Sequence, residues 1–200
     1  MSKPVPTPRT VEIPTAEAVA KERERLRYKK KYSRTLRSTV YALLVVAAVA
    51  VLAATIFLPV LQVSGTSMEP TLQDGDIILL LKNGKFTTGD ICGLYWQNKL
   101  LLKRVIGGPG DIIDIADDGT VTVNGQVLDE PYVTEKALGE CDITLPYQVP
   151  ENRYFVMGDH RATSVDSRSS VIGCIEKEQI VGRALLRVYP FDRISLLFKK

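Results

Sequence analysis

Hydrophobic and polar positions divide the chain into three textures. Residues 1–15 carry Pro4, Pro6, Pro8 and Pro14 among polar neighbours, a pattern that predicts a disordered tail. Residues 16–37, AEAVAKERERLRYKKKYSRTLR, are rich in helix formers and predict a helix. Then the charges stop: from Ser38 to Met68 there is none. Val40 to Leu61, VYALLVVAAVAVLAATIFLPVL, is a 22-residue apolar run, which as a helix spans about 33 Å, the thickness of a bilayer core. A core helix of that length would show a polar face. A cleaved secretory signal would have a shorter apolar region and a shorter basic one, although the small residues of Val63-Ser64-Gly65 resemble a cleavage site. An uncleaved signal-anchor over residues 38–61 is the expectation.

Beyond residue 62 the texture changes again. Short apolar runs (DIILLLK, GDICGLYW, KLLLKRVIG, DIIDIA, TVTVNGQVL) alternate with the turn signals QDGD, KNGK, GGPGD and DDGT. Close-spaced short strands of this kind predict an all-β body. TVTVNGQVL predicts a hairpin turning at Asn124-Gly125. Helical periodicity is scarce; Ser64 to Leu72 has room for one turn.

Charge sharpens the picture. Residues 1–38 hold eleven Lys+Arg against four Asp+Glu, a net +7, so the remainder carries −4 of the total +3. Lys29, Lys30, Lys31, Arg34 and Arg37 sit just before the apolar run, and the positive-inside rule puts residues 1–37 in the cytoplasm and 62–200 outside. The basic segment has neither zinc-ligand spacing nor interleaved aromatics, Tyr28 and Tyr32 being isolated, so no nucleic-acid partner is expected. The three cysteines, Cys92, Cys141 and Cys174, form no C-x-x-C pair and have no histidine cluster beside them, so no metal is expected. In an oxidising compartment they allow one disulfide and an odd thiol, with the pairing open.

Four stretches hold candidate chemistry. In Ser64-Gly65-Thr66-Ser67-Met68-Glu69-Pro70-Thr71-Leu72, Gly65 permits a sharp bend that can expose the Ser67 hydroxyl beside free backbone N–H groups. By itself, a serine in a turn is most often only a turn residue. In Leu100-Leu101-Leu102-Lys103-Arg104-Val105-Ile106, a lysine lies inside an apolar strand. Burial disfavours its ammonium, and a neutral amine can take a proton from a serine hydroxyl; the ordinary alternative is a snorkelling or salt-bridged strand-edge lysine. Met157 to Arg168 packs two acids, two arginines and three hydroxyl residues besides His160, the only histidine, which is read as a polar loop residue rather than a base. Thr88-Gly89-Asp90-Ile91 is a turn entering a strand.

Taken together these stretches resemble the type I signal peptidases, in the single-span bacterial form. Ser67-Met68-Glu69-Pro70-Thr71-Leu72 is similar to the family's S-M-x-P-T-L nucleophile motif, and Lys103 to Asp111 to its lysine motif. Gly158-Asp159-His160-Arg161 through Ser164-Val165-Asp166-Ser167-Arg168 is similar to its G-D-N-R…S-x-D-S-R motif. Thr88 to Ile91 matches a strand motif, and Val181 to Ala184 and Tyr189-Pro190 also fit; the likeness covers residues from about 38 to 198.

The resemblance implies two antiparallel β-sheets in the protease core shared with SOS-repressor-type autoproteases, with a small subdomain inserted at about residues 112–150. It implies Ser67 as nucleophile and backbone oxyanion donor, Lys103 as general base, and Ser164 as the hydroxyl that orients the lysine. Asp159, Arg161, Asp166 and Arg168 are then structural loop residues. The substrate would be the signal peptide of an exported preprotein, bound as an added strand with small residues three and one before the cut. Val63, Met68, Leu72, Leu101 and Leu102 would line its apolar pockets, with no cofactor. The bilayer and the secretion translocon follow as partners and the bacterial cell membrane as location. Two positions depart from the pattern. Gly65 stands where some members place a hydroxyl residue that aids the oxyanion, and His160 stands where Asn is usual. Two rival readings are a cytoplasmic Ser/Lys autoprotease, against which the apolar span argues, and an inactive membrane-anchored binding domain, against which the intact Ser67 and Lys103 argue.

Overall fold

The computed structural model describes residues 15–82, 84–97 and 99–197. The tail expected to be disordered lies almost wholly in residues 1–14, outside the described residues. The first element is one continuous helix, α1, Ala16–Phe57. The helix-forming basic segment and most of the apolar run therefore share a single hydrogen-bonded rod, and none of its side chains is buried. It ends before Pro59, which has no N–H and restricts the residue ahead of it. The apolar run is thus divided: its last residues enter a strand, β1, Val60–Gln62.

Eleven further strands follow: β2 Ile77–Leu81, β3 Ile91–Trp96, β4 Lys99–Gly107, β5 Ile112–Ile115, β6 Val121–Val123, β7 Gln126–Val127, β8 Tyr147–Gln148, β9 Arg153–Met157, β10 Ile175–Glu176, β11 Ile180–Tyr189 and β12 Ser195–Leu196. They form two antiparallel sheets. The larger runs β1-β2-β11-β3-β4-β9-β10, with β12 on β11, and the smaller runs β7-β6-β5-β8. All strands of the smaller sheet fall between Ile112 and Gln148. Its β6–β7 hairpin turns at Asn124 and Gly125, both at positive φ (52° and 77°), as a two-residue primed turn requires.

Three buried clusters make the core. Strand β4 is central to them: every residue from Leu102 to Gly107 is buried. Its faces differ in character. Leu102, Arg104 and Ile106 alternate with Lys103, Val105 and Gly107, so neighbouring Lys103 and Arg104 point to opposite sides of the sheet. Cys92 and Cys174 are buried in the core, and none of the three cysteines is in a disulfide.

Candidate active site

Ser67 stands in the turn between β1 and β2. The Leu72 N–H donates to the Met68 carbonyl at 2.9 Å and the Glu69 N–H to that of Thr66 at 3.0 Å, so the stretch from Ser64 to Leu72, whose Glu69–Pro70 peptide is cis, folds as hydrogen-bonded turns and not as the helical turn for which the sequence has room. Met68 and Leu72 are buried beside Val63, Leu80 and Leu102 and anchor the turn, leaving Ser67 half-exposed at its start. Gly65 enters the turn at φ +88° with its amide bonded to Asp74 Oδ1 at 2.8 Å. That conformation is costly for any residue with a Cβ. Glycine thus supplies the bend here at the expense of a side-chain donor. Among the described residues the Ser67 N–H meets no protein acceptor, so it is available to a developing oxyanion.

Lys103 is 4% exposed, on the β4 face that carries Val105, and pairs in register with Cys92 across the β3–β4 ladder. Burial pushes the Cys92 thiol up to about 12, so this neighbour stays neutral. The Lys103 amine donates to Ser164 Oγ at 2.8 Å. Its pKa is lowered, above all by loss of hydration; Arg168 pushes the same way, while Asp166 and Asp159 oppose. A depressed lysine pKa favours the amine, which has the lone pair a base needs.

The loop from Gly158 to Arg168 joins the two. His160 donates its backbone N–H to the Ser67 carbonyl at 3.1 Å. A Cβ at Gly158 would lie 2.5 Å from the Ser67 carbonyl oxygen and closer still to Ser164 Oγ, so only glycine lets these two residues approach. The Gly158 N–H donates to Asp166 Oδ2 at 2.9 Å. Asp166 takes two bonds of 2.8 Å from the Arg168 guanidinium, which also donates to the Leu138 and Ser164 carbonyls. Asp159 accepts from Arg104 at 2.8 and 2.5 Å and from Thr71 Oγ1 at 2.5 Å, tying the loop to β4 and to the turn that carries Ser67. Arg161 is bonded to Glu130 and donates from Nε to the Gly158 carbonyl at 3.1 Å. Asp159, Arg161, Asp166 and Arg168 are thus all buried and paired. His160 uses its ring toward Thr163 Oγ1 at 2.7 Å.

Beside Ser67 lies a cleft of about 30 Å³, walled by Leu61, Gln62, Val63, Ser64, Gly65, Met68 and Leu100 to Leu102. Of the five pocket residues expected from sequence, Val63, Met68, Leu101 and Leu102 are on this wall. Leu72 is not: it is fully buried in the core with Met68 and Ile78, because the turn closed by its N–H on the Met68 carbonyl carries it inward. Leu61, Gln62 and Leu100 were missed, since edge positions of β1 and β4 have no signature of their own. Thr88-Gly89-Asp90, without chemistry in sequence, gives Arg104 a second anchor through the Gly89 carbonyl at 2.8 Å. Glu130 also escaped sequence reading; it belongs to no motif stretch.

Known proteins place the chain. Residues 36–189 match the family described as signal peptidase, peptidase S26. Signal peptidase I of Bacillus licheniformis is 39% identical over 145 residues, covering 66% of this chain and 77% of that protein. Signal peptidase I U of Bacillus subtilis (strain 168) is 34% identical over 178 residues, covering 83% of this chain and 93% of that protein. A crystal structure of a signal peptidase I from Enterococcus faecalis V583 is 30% identical, covers 50% of this chain and 96% of its own, and aligns with a TM-score of 0.41.

Proposed function

The chain belongs to the signal peptidase family S26 and is a serine endopeptidase of that family, and from this we propose that it removes the signal peptides of exported preproteins with Ser67 as nucleophile and Lys103 as general base. The observation that carries the reading is the buried Lys103 amine, its pKa lowered by desolvation, hydrogen-bonded to Ser164 beside the nucleophile turn. Ser67 Oγ attacks the scissile carbonyl while Lys103 Nζ takes its proton; the oxyanion forms at the Ser67 N–H. The Lys103 ammonium then returns the proton to the leaving amine, and the acyl chain stays on Ser67. In the second half, Lys103 takes a proton from water as the water attacks the ester, and the proton goes back to Ser67 Oγ. Asp159 and Asp166 steady the transient ammonium; Ser164 keeps the amine aimed.

The small cleft supports a requirement for small side chains one and three residues before the cut, with the substrate added as a strand along β1 and β4. We further propose that α1 crosses the bacterial cell membrane once over residues 38–57, with residues 1–37 in the cytoplasm and 62–200 outside. Its exposed apolar half and preceding basic cluster support this. The secretion translocon would deliver the substrate. The test is cleavage of a synthetic preprotein by purified wild type and by Ser67→Ala. Wild type cuts once after a small residue, and the folded variant does not. Turnover by Ser67→Ala near the wild-type rate rules Ser67 out.

A further inference from the structure

We infer that the segment Glu130–Tyr132, in the connection between β7 and β8 of the smaller sheet, positions the catalytic pair, with Glu130 a positioning residue for the reaction; this rests on the reading of Ser67 and Lys103 above. Glu130 is 8% exposed, and a carboxylate that dry needs a paired charge and hydrogen-bond donors on both oxygens. The Arg161 guanidinium takes both oxygens, Nη1 at 3.0 Å and Nη2 on the other, and the Tyr132 hydroxyl donates to Oε1 at 3.0 Å. With its two terminal nitrogens committed, Arg161 has Nε left, and this holds the Gly158 carbonyl at 3.1 Å. Gly158 is the residue against which the Ser67 carbonyl and Ser164 Oγ both pack.

A second branch starts two residues on. The Tyr132 ring lies 3.7 Å from the Arg104 guanidinium carbon, and Arg104 grips both oxygens of Asp159. Consecutive loop residues, 158 and 159, are therefore each held by a guanidinium, and each guanidinium is held in turn by this short segment. Taking the charge from Glu130 frees the Arg161 fork, and the Gly158 carbonyl loses its fixed donor. Ser164 Oγ then drifts from the Lys103 amine and water reaches it. The cleft walls at Val63 and Leu101 are untouched, so substrate binding persists while turnover falls.

The full chain with Glu130→Gln is compared with wild type by kcat and KM on a synthetic preprotein and by NMR titration of isotopically methylated lysines. The expected result is a fall of at least about tenfold in kcat with KM little changed, a Lys103 titration moved up toward that of a free lysine, and partial recovery in Glu130→Asp. A purely structural role lowers the folded fraction and leaves the titration of the folded molecules alone. Folded Glu130→Gln with wild-type kcat and an unmoved Lys103 overturns the inference. Should Glu130→Gln not fold, the double variant Glu130→Leu, Arg161→Met replaces the ion pair by apolar groups, an exchange that commonly preserves the fold. Wild-type kcat there overturns the inference equally, and a tenfold loss supports it. The titration needs no substrate. Failure of the peptidase reading is seen separately, as wild type that does not cut or Ser67→Ala that does.

Discussion

The amine of Lys103 and the hydroxyl of Ser164 lie 2.8 Å apart, both residues nearly sealed from solvent, on segments 61 residues apart in sequence. A neutral amine can donate one hydrogen here and still present its lone pair elsewhere. An ammonium at the same place would have to keep three hydrogens satisfied in a dry site.

The lysine should therefore cost stability at neutral pH. A lysine whose folded pKa lies below its ordinary 10.5 binds its proton more readily in the unfolded chain. Stability then rises with pH between the depressed value and 10.5, and the penalty vanishes above it. Lys103→Met should melt higher than wild type at pH 7, with the gap closing above pH 10.5. Thermal melts across pH check this; a gap independent of pH would mean the lysine is not depressed. The same variant should be inactive, and so should Lys103→Arg, because guanidinium does not give up its proton.

Ser164→Ala should keep the fold and lose about a hundredfold in kcat, the scale of an ångström-sized misplacement of a reacting group. Ser164→Thr, which keeps the hydroxyl, should recover part of it. Steady-state kinetics on a synthetic preprotein decide; an alanine variant at the wild-type rate would leave Ser164 without a part in orienting the lysine.

Gly158→Ala should be worse than its size suggests. The new methyl collides with the Ser67 carbonyl and Ser164 Oγ, neither of which is a flexible chain end. Overpacking of this kind costs about 1–3 kcal/mol, and relief of the clash moves the two residues apart. Denaturant midpoints and kcat should fall together. Gly125→Ala offers a contrast: it strains a hairpin turn with nothing within 4 Å of the new methyl, and should leave kcat unchanged.

Preproteins that differ only in the residue before the cut should rank by size, with Ala, Gly and Ser cut well and Leu, Phe or Lys poorly. The cleft of about 30 Å³ by Ser67 is small and has no charged wall residue. Comparison of kcat/KM across such a series is the measurement, and efficient cutting after Phe would refute the assignment.

External protease added to right-side-out cells or vesicles should digest residues 62–200 and spare the basic segment. The opposite protection pattern would invert the proposed orientation.

Much of this was legible in the chain itself. A charge-free run behind a basic cluster announces a long apolar helix, because burial period and length are local properties. Strands and the Asn124-Gly125 turn announce themselves likewise, and Ser67, Lys103 and Ser164 each stand in a recognisable stretch. Strand partners are another matter. That β11 lies between β2 and β3, or that the turn after Ser67 sends Leu72 into the core rather than the cleft, depends on which surfaces meet. Glu130 looked like any acid in a polar linker, yet it closes a buried ion pair with a residue 31 positions away. Pattern along a chain records which side chains must avoid water. Which buried charge finds which partner is settled only when the two sheets close and each desolvated group must be matched by whatever lies opposite.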